Sequence, residues 1–222
     1  MQRIIMVAFI FLSTCNSKQA NQQDSTDNSK KNAQDISTDT SAKPKNIWVD
    51  RLNNKKYPLP DSINNKPISF YLDNPKIAAI AKSFYKGQFR PTDNDSTTEL
   101  LSYVTTDDNT IRLFYRWCLD FTITISDGAL AEYPGGPALK YATKFPKEFF
   151  DYMDKDTSGQ RYRQWAEIIA YSGLSDYNKK DPEIEEEIIS NMFSNCYSCN
   201  DKMKSRIVTL AKDITKAVKL QD

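Results

Sequence analysis

Met203, Ile207, Leu210, Ile214 and Ala217 recur at intervals of 4, 3, 4 and 3 residues, with lysines between them. That spacing marks one face of an α-helix; a half-buried strand would alternate every second residue. The same period returns upstream. Ile184, Ile188, Met192 and Phe193 form an apolar face after Asp181-Pro182, an N-cap and first-turn proline. Glu183, Glu185, Glu186 and Glu187 suit the positive end of that helix dipole. Tyr162, Trp165, Ile168 and Ile169 predict a helix between Gly159 and Tyr171. Ile111, Phe114, Tyr115, Cys118, Thr122 and Ile125 predict another, capped by Asp108 or Asn109 and ending before Asp127-Gly128. Its tail, FTITIS, also alternates like a strand. Shorter helices are expected from Asn74-Pro75 to Lys86, from the capping box Ser96-Thr-Thr-Glu99 through Val104, and from Pro146 to Met153. EYPGGPA, residues 132–138, reads as a turn.

The expected fold is therefore all-α, with about six to seven helices in one domain over residues 74–222. The last two should form an antiparallel hairpin. Residues 47–73 are rich in Pro and Asn and predict an extended arm packed on that domain, with a brief strand at Ile68–Leu72. Residues 16–46 hold a single large apolar residue, Ile36, too little to offset chain entropy, so 15–46 is expected to be a disordered tether.

Met1-Gln2-Arg3 precedes an apolar run from Ile4 to Leu12, then Ser13-Thr14-Cys15. Nine residues rise only about 14 Å as a helix, short of the roughly 30 Å hydrocarbon core. The run fits the core of a secretory signal. With LSTC at its end it resembles a bacterial lipoprotein signal: Leu12, Ser13 and Cys15 match the lipobox, and Thr14 replaces the usual small residue. The resemblance implies a signal peptide over 1–14 and acyl chains on Cys15, which would anchor the chain to a membrane. The alternative is a plain secretory signal cleaved near Ala20. Asn16, not Asp, follows Cys15, and no acidic cluster comes next. By the same resemblance the expected location is the outer membrane, facing the periplasm.

Histidine is absent, which removes Ser-His-Asp and Cys-His catalysis and every imidazole zinc site. Lys plus Arg (30) and Asp plus Glu (29) nearly cancel, so no nucleic-acid partner is expected. Gly135-Gly136 lacks the following Lys-Ser/Thr of a phosphate loop, and no cofactor motif emerges.

Five stretches remain as candidates. Cys196 and Cys199 form a CxxC, read as a disulfide staple between two helices, with a thiol-disulfide oxidoreductase as the alternative. Cys118, on an aromatic helical face, reads as a buried thiol. Asp154, Asp156, Ser158 and Gly159 match the opening of a calcium loop, but the bidentate Glu expected at its twelfth position is Trp165. Asp127, Glu132 and Tyr133 lie in the most loop-like stretch, where a carboxylate pair could serve glycoside hydrolysis. Arg90, Arg112, Arg116, Arg161 and Arg163 stand beside aromatic residues and suit a protein interface. Together these features point to a non-catalytic binding domain, most plainly for a protein partner of accessory or immunity type, with a glycan- or peptide-binding module as another reading.

Overall fold

The computed structural model describes residues 46–174 and 181–219. The expected signal peptide, Cys15 and the tether up to residue 45 lie outside the described residues.

The described chain begins as a hairpin. Strand β1 (Ile47–Asp50) pairs antiparallel with β2 (Lys55–Pro58), Trp48 opposite Tyr57 and Val49 opposite Lys56. The pleat sends Trp48 and Asp50 inward and leaves Ile47 and Val49 outside. The Trp48 indole N–H donates to the Phe84 carbonyl at 2.9 Å. A second hairpin, β3 (Ser62–Ile63) and β4 (Lys66–Pro67), turns through Asn64 and Asn65. Both have positive φ (49° and 63°), which asparagine tolerates and a two-residue turn demands.

Residues 68–72 are not the expected strand but a single helical turn, α1 (Ile68–Leu72). No neighbouring strand offers them a ladder, and one turn of helix sets Tyr71 into the core. Its hydroxyl donates to the Ile63 carbonyl at 3.1 Å, and its ring stacks on Phe114.

Helix α2 (Ala79–Tyr85) starts later than Asn74-Pro75 predicts. The Asn74 carboxamide closes a local turn instead, accepting from the Lys76 amide at 2.9 Å. The helix stops at Gly87 (φ 69°), where Gln88 N–H returns to the Ser83 carbonyl and Gly87 N–H to Phe84, a Schellman cap. Helix α3 (Asp95–Ser102) is capped by Asn94 rather than Ser96. Helix α4 (Asn109–Ile125) is capped by Asp108 and stays helical through FTITI, with all six residues of its expected apolar face buried.

After a 3₁₀ turn at Gly128–Glu132 comes α5 (Gly135–Lys144), where the composition predicts a turn. Two glycines and two prolines hide this helix by propensity. Tertiary contact supplies what they lack, since Gly135 N–H donates to the buried Ser172 hydroxyl at 3.1 Å. Helices α6 (Pro146–Met153) and α7 (Gln160–Ile168) follow, and α7 ends in one π-helical turn, Ile169–Gly173. Helices α8 (Asp181–Ser194) and α9 (Asp201–Lys219) pack along one another as the expected hairpin. The fold is all-α, with nine α-helices among the described residues; α1 and α5 account for the excess over seven.

Helix α4 runs through the centre. One side meets an aromatic cluster in which Trp48, Tyr57 and Phe84 pack on Phe121, while Phe84, Tyr85 and Phe114 pack on Trp117. Its other side carries Arg112, Arg116 and Asp120, one helical turn apart, facing α5, α6 and α7 through Tyr141, Glu148, Tyr152 and Trp165.

Candidate binding site

Arg112 and Arg116 are buried, at 5% and 4% exposure. Interior guanidinium groups need acceptors, and Glu148 from the first turn of α6 supplies them. Arg112 lays its Nε and Nη2 edge on that carboxylate, Nη2 to Oε2 at 2.9 Å, and its Nη1 donates to the Thr106 carbonyl at 2.7 Å. Arg116 Nη1 lies 3.6 Å from Glu148 Oε1 and donates to the Tyr141 hydroxyl at 3.3 Å. Tyr141 in turn donates to Glu148 Oε1 at 2.9 Å.

A second carboxylate, Asp120, accepts from the Trp165 indole at 2.7 Å and the Tyr152 hydroxyl at 2.8 Å, with Arg161 Nε at 3.7 Å. Two guanidinium groups lie over the Tyr152 ring, Arg116 at 3.9 Å and Arg161 at 4.4 Å from its centre. Burial first, and then the neighbouring carboxylates, push the Tyr141 and Tyr152 phenols up. Both therefore stay protonated and act as donors to Glu148 and Asp120.

This network opens on one side into a cleft of about 360 Å³. Arg116, Glu148 and Tyr152 form its inner wall, and Lys66, Asp151 and Lys155 stand among the other lining residues.

The arginines expected at an interface thus divide. Arg112 and Arg116 are interior, because α4 is enclosed on several sides and its polar stripe is covered by α5 and α6. Arg90 binds the fully buried Asp50, Nε to Oδ1 at 2.8 Å and Nη2 to Oδ2 at 3.2 Å. That pairing holds the Asp50 carboxyl below its ordinary range. Arg163 is exposed.

The candidate loop does not gather its residues around one point. Asp127 accepts from the Asn53 carboxamide at 2.6 Å, Tyr133 donates to Asp93, and Glu132 is exposed. In the calcium-like turn, Asp154 forms a two-pronged ion pair with Arg206, 2.9 Å for one prong. Asp156 accepts from the Arg161 amide at 2.7 Å and from the Ser158 amide and hydroxyl, which hold its carboxyl down at about 2. These carboxylates cap and tie helices. Among the described residues no group of three or more Cys, Asp or Glu side chains gathers as a metal site would require.

Cys196 and Cys199 form a disulfide in the link between α8 and α9, and Cys118 is a buried thiol raised by desolvation. The glutamate and two tyrosines around Arg112 and Arg116 were missed from sequence. The recoverable signal was the Arg112, Arg116, Asp120 spacing along a helix whose apolar positions already cover more than one face.

No protein family, no curated protein and no solved structure matches the chain.

Proposed function

We propose that the chain is a lipid-anchored, non-catalytic binding protein of the bacterial envelope whose domain takes a protein partner. Cys15 carries the acyl chains, and residues 16–46 serve as a leash. By resemblance to lipoprotein signals the Asn16 after Cys15 favours an outer-membrane anchor, while the lack of an acidic cluster next to it favours a domain facing the periplasm. No described helix is long and apolar enough to cross a membrane.

The observation that carries the partner reading is the outer face of the first hairpin. Ile47 and Val49 on that face are 55% and 47% exposed, and Leu52 in the turn that follows is 68% exposed. The other side of β1 is fastened by Trp48 and Asp50, so the apolar face is presented on a fixed support. Lys56 lies opposite Val49, and Arg51 and Lys55 border the turn. An apolar centre with a basic rim fits a partner with an apolar patch and an acidic border. The CxxC supports a staple in this reading, since Cys196 stands just past the C-terminal end of α8, where the helix dipole disfavours a thiolate.

In vivo cross-linking of the tagged chain tests this. Wild type should give one dominant protein adduct, and Ile47→Ser/Val49→Ser/Leu52→Ser should lose it while keeping the melting temperature. An adduct pattern unchanged by the triple variant, or mixed disulfides lost on Cys196→Ser/Cys199→Ser, would overturn it.

A further inference from the structure

Among the described residues Arg90, Arg112 and Arg116 are the most enclosed arginines, and two of them spend the same edge in the same way. Arg90 lays Nε and Nη2 on Asp50, and Arg112 lays Nε and Nη2 on Glu148; each then gives Nη1 to a backbone carbonyl. Arg116 differs. Its polar contacts among the described residues run through Nη1 alone, to Tyr141 and Glu148. Its Nε is buried without any acceptor, the single buried side-chain polar atom so left among the described residues. Arg116 as a whole is 4% exposed and is one of the residues that line the cleft.

The charges point the same way. Glu148 provides one negative charge to two buried guanidinium groups, and Asp120 is engaged by Arg161, Tyr152 and Trp165. Even with Asp151 on the wall, Arg112, Arg116, Lys66 and Lys155 outnumber the two carboxylates Glu148 and Asp151, so positive charge is in excess around the cleft, at a cost that a bound anion would relieve. Lys66 and Lys155 line the same cleft.

We propose that the Nε and Nη2 edge of Arg116 is a binding site for the carboxylate of a small ligand entering this cleft. A carboxylate offers two coplanar oxygens to that edge, the arrangement the protein itself uses at Arg90 and Arg112. Glu148 and Asp151 on the wall disfavour the doubly charged phosphate. The stacked Tyr152 ring fixes the guanidinium plane.

The test is titration of the full-length chain with sodium acetate at neutral pH, following the arginine Nε–H signals by NMR against equal sodium chloride and sodium phosphate. Arg116 Nε–H should shift saturably with acetate, while those of Arg90 and Arg112 stay in place. Lys155→Ala should weaken that saturation roughly threefold through loss of one screened charge, with an unchanged melting temperature. Arg116→Lys, which keeps the charge and loses the edge, should abolish the saturable acetate shift that the neighbouring Tyr152 backbone amide shows in the wild type; if that variant does not fold, the wild-type and Lys155→Ala titrations decide. Equal, unsaturated drift in acetate and chloride would overturn the site, and tighter binding of phosphate than acetate would overturn its carboxylate preference.

Discussion

Gly135 and Gly173 approach so closely that a β-carbon on Gly135 would stand 2.4 Å from the Gly173 amide nitrogen and 2.4 Å from the Ile168 carbonyl oxygen. The start of α5 thereby rests directly on the π-helical turn that ends α7, and Ser172 joins the two by accepting from Gly135 N–H and donating to the Ala131 carbonyl at 2.8 Å. Two backbone atoms would have to give way, and with them the Ser172 hydroxyl, also 2.4 Å from that β-carbon. Gly135→Ala should cost about 1–3 kcal/mol, the usual range for overpacking. Gly136→Ala, with nothing within 4 Å of its β-carbon, should be neutral or stabilising by up to about 1 kcal/mol. Urea denaturation of the two variants side by side gives the comparison.

Glu148 is the shared counter-charge of Arg112 and Arg116. Glu148→Gln keeps the shape and removes the charge, leaving two interior guanidinium groups with no carboxylate between them. A loss of about 3–5 kcal/mol is expected, as for breaking other buried ion pairs. Chemical denaturation at pH 7 measures it. A loss below about 1 kcal/mol would mean that solvent reaches the pair freely.

Acid stability follows from Asp156 and Asp50. Both carboxyls are lowered in the fold, Asp156 to about 2 by the Arg161 amide and the Ser158 hydroxyl, Asp50 by Arg90. A depressed folded value means the stabilisation is fully present above the unfolded value near 3.9 and disappears as pH falls through the folded one. Melting temperature should therefore drop between about pH 4 and about pH 2. Asp156→Asn should flatten that decline, and melts at half-unit steps of pH would show it.

The Cys196–Cys199 bond closes a loop with a sequence separation of 3. So short a loop restrains the unfolded chain little. Cys196→Ser/Cys199→Ser should cost about 2 kcal/mol or less. Circular dichroism with denaturant quantifies the loss, and a larger one would show that the link orders α8 against α9 by more than chain entropy.

Much of the helical plan was legible because apolar spacing reports burial directly. The expected face of α4 is buried residue by residue. On α8 Ile184, Ile188 and Met192 are buried while Phe193 is 39% exposed, and on α9 Ile207, Leu210 and Ile214 are buried while Met203 and Ala217 are half-buried. Gly87, Asp108 and Asp127-Gly128 marked real ends. Where sequence reasoning failed, a distant contact had replaced a local preference. Helix α5 begins on two glycines that Ser172 and the π-turn hold in place, and α1 forms because Tyr71 finds Phe114. Asn74 carries every mark of a cap yet closes a turn, and Ala78 N–H instead finds the Tyr115 hydroxyl at 2.9 Å. The cleft was hidden for a related reason. Arginine beside aromatic residues suits a surface, and only the covering helices turn Arg112 and Arg116 into interior groups.

The fastening of β1 has a mechanical meaning. Any pull delivered through the residues that precede Asn46 arrives at Ile47 and must pass Trp48 before it reaches a helix. There it meets an indole locked edge-on against Phe84 and Phe121 and bonded to the carbonyl that helps close α2. Two residues on, Asp50 holds Arg90. Load is thus shared by a ring wedged in the core and an ion pair behind it, as a cleat shares the strain on a mooring line, and the helices beyond need not part for the first strand to hold.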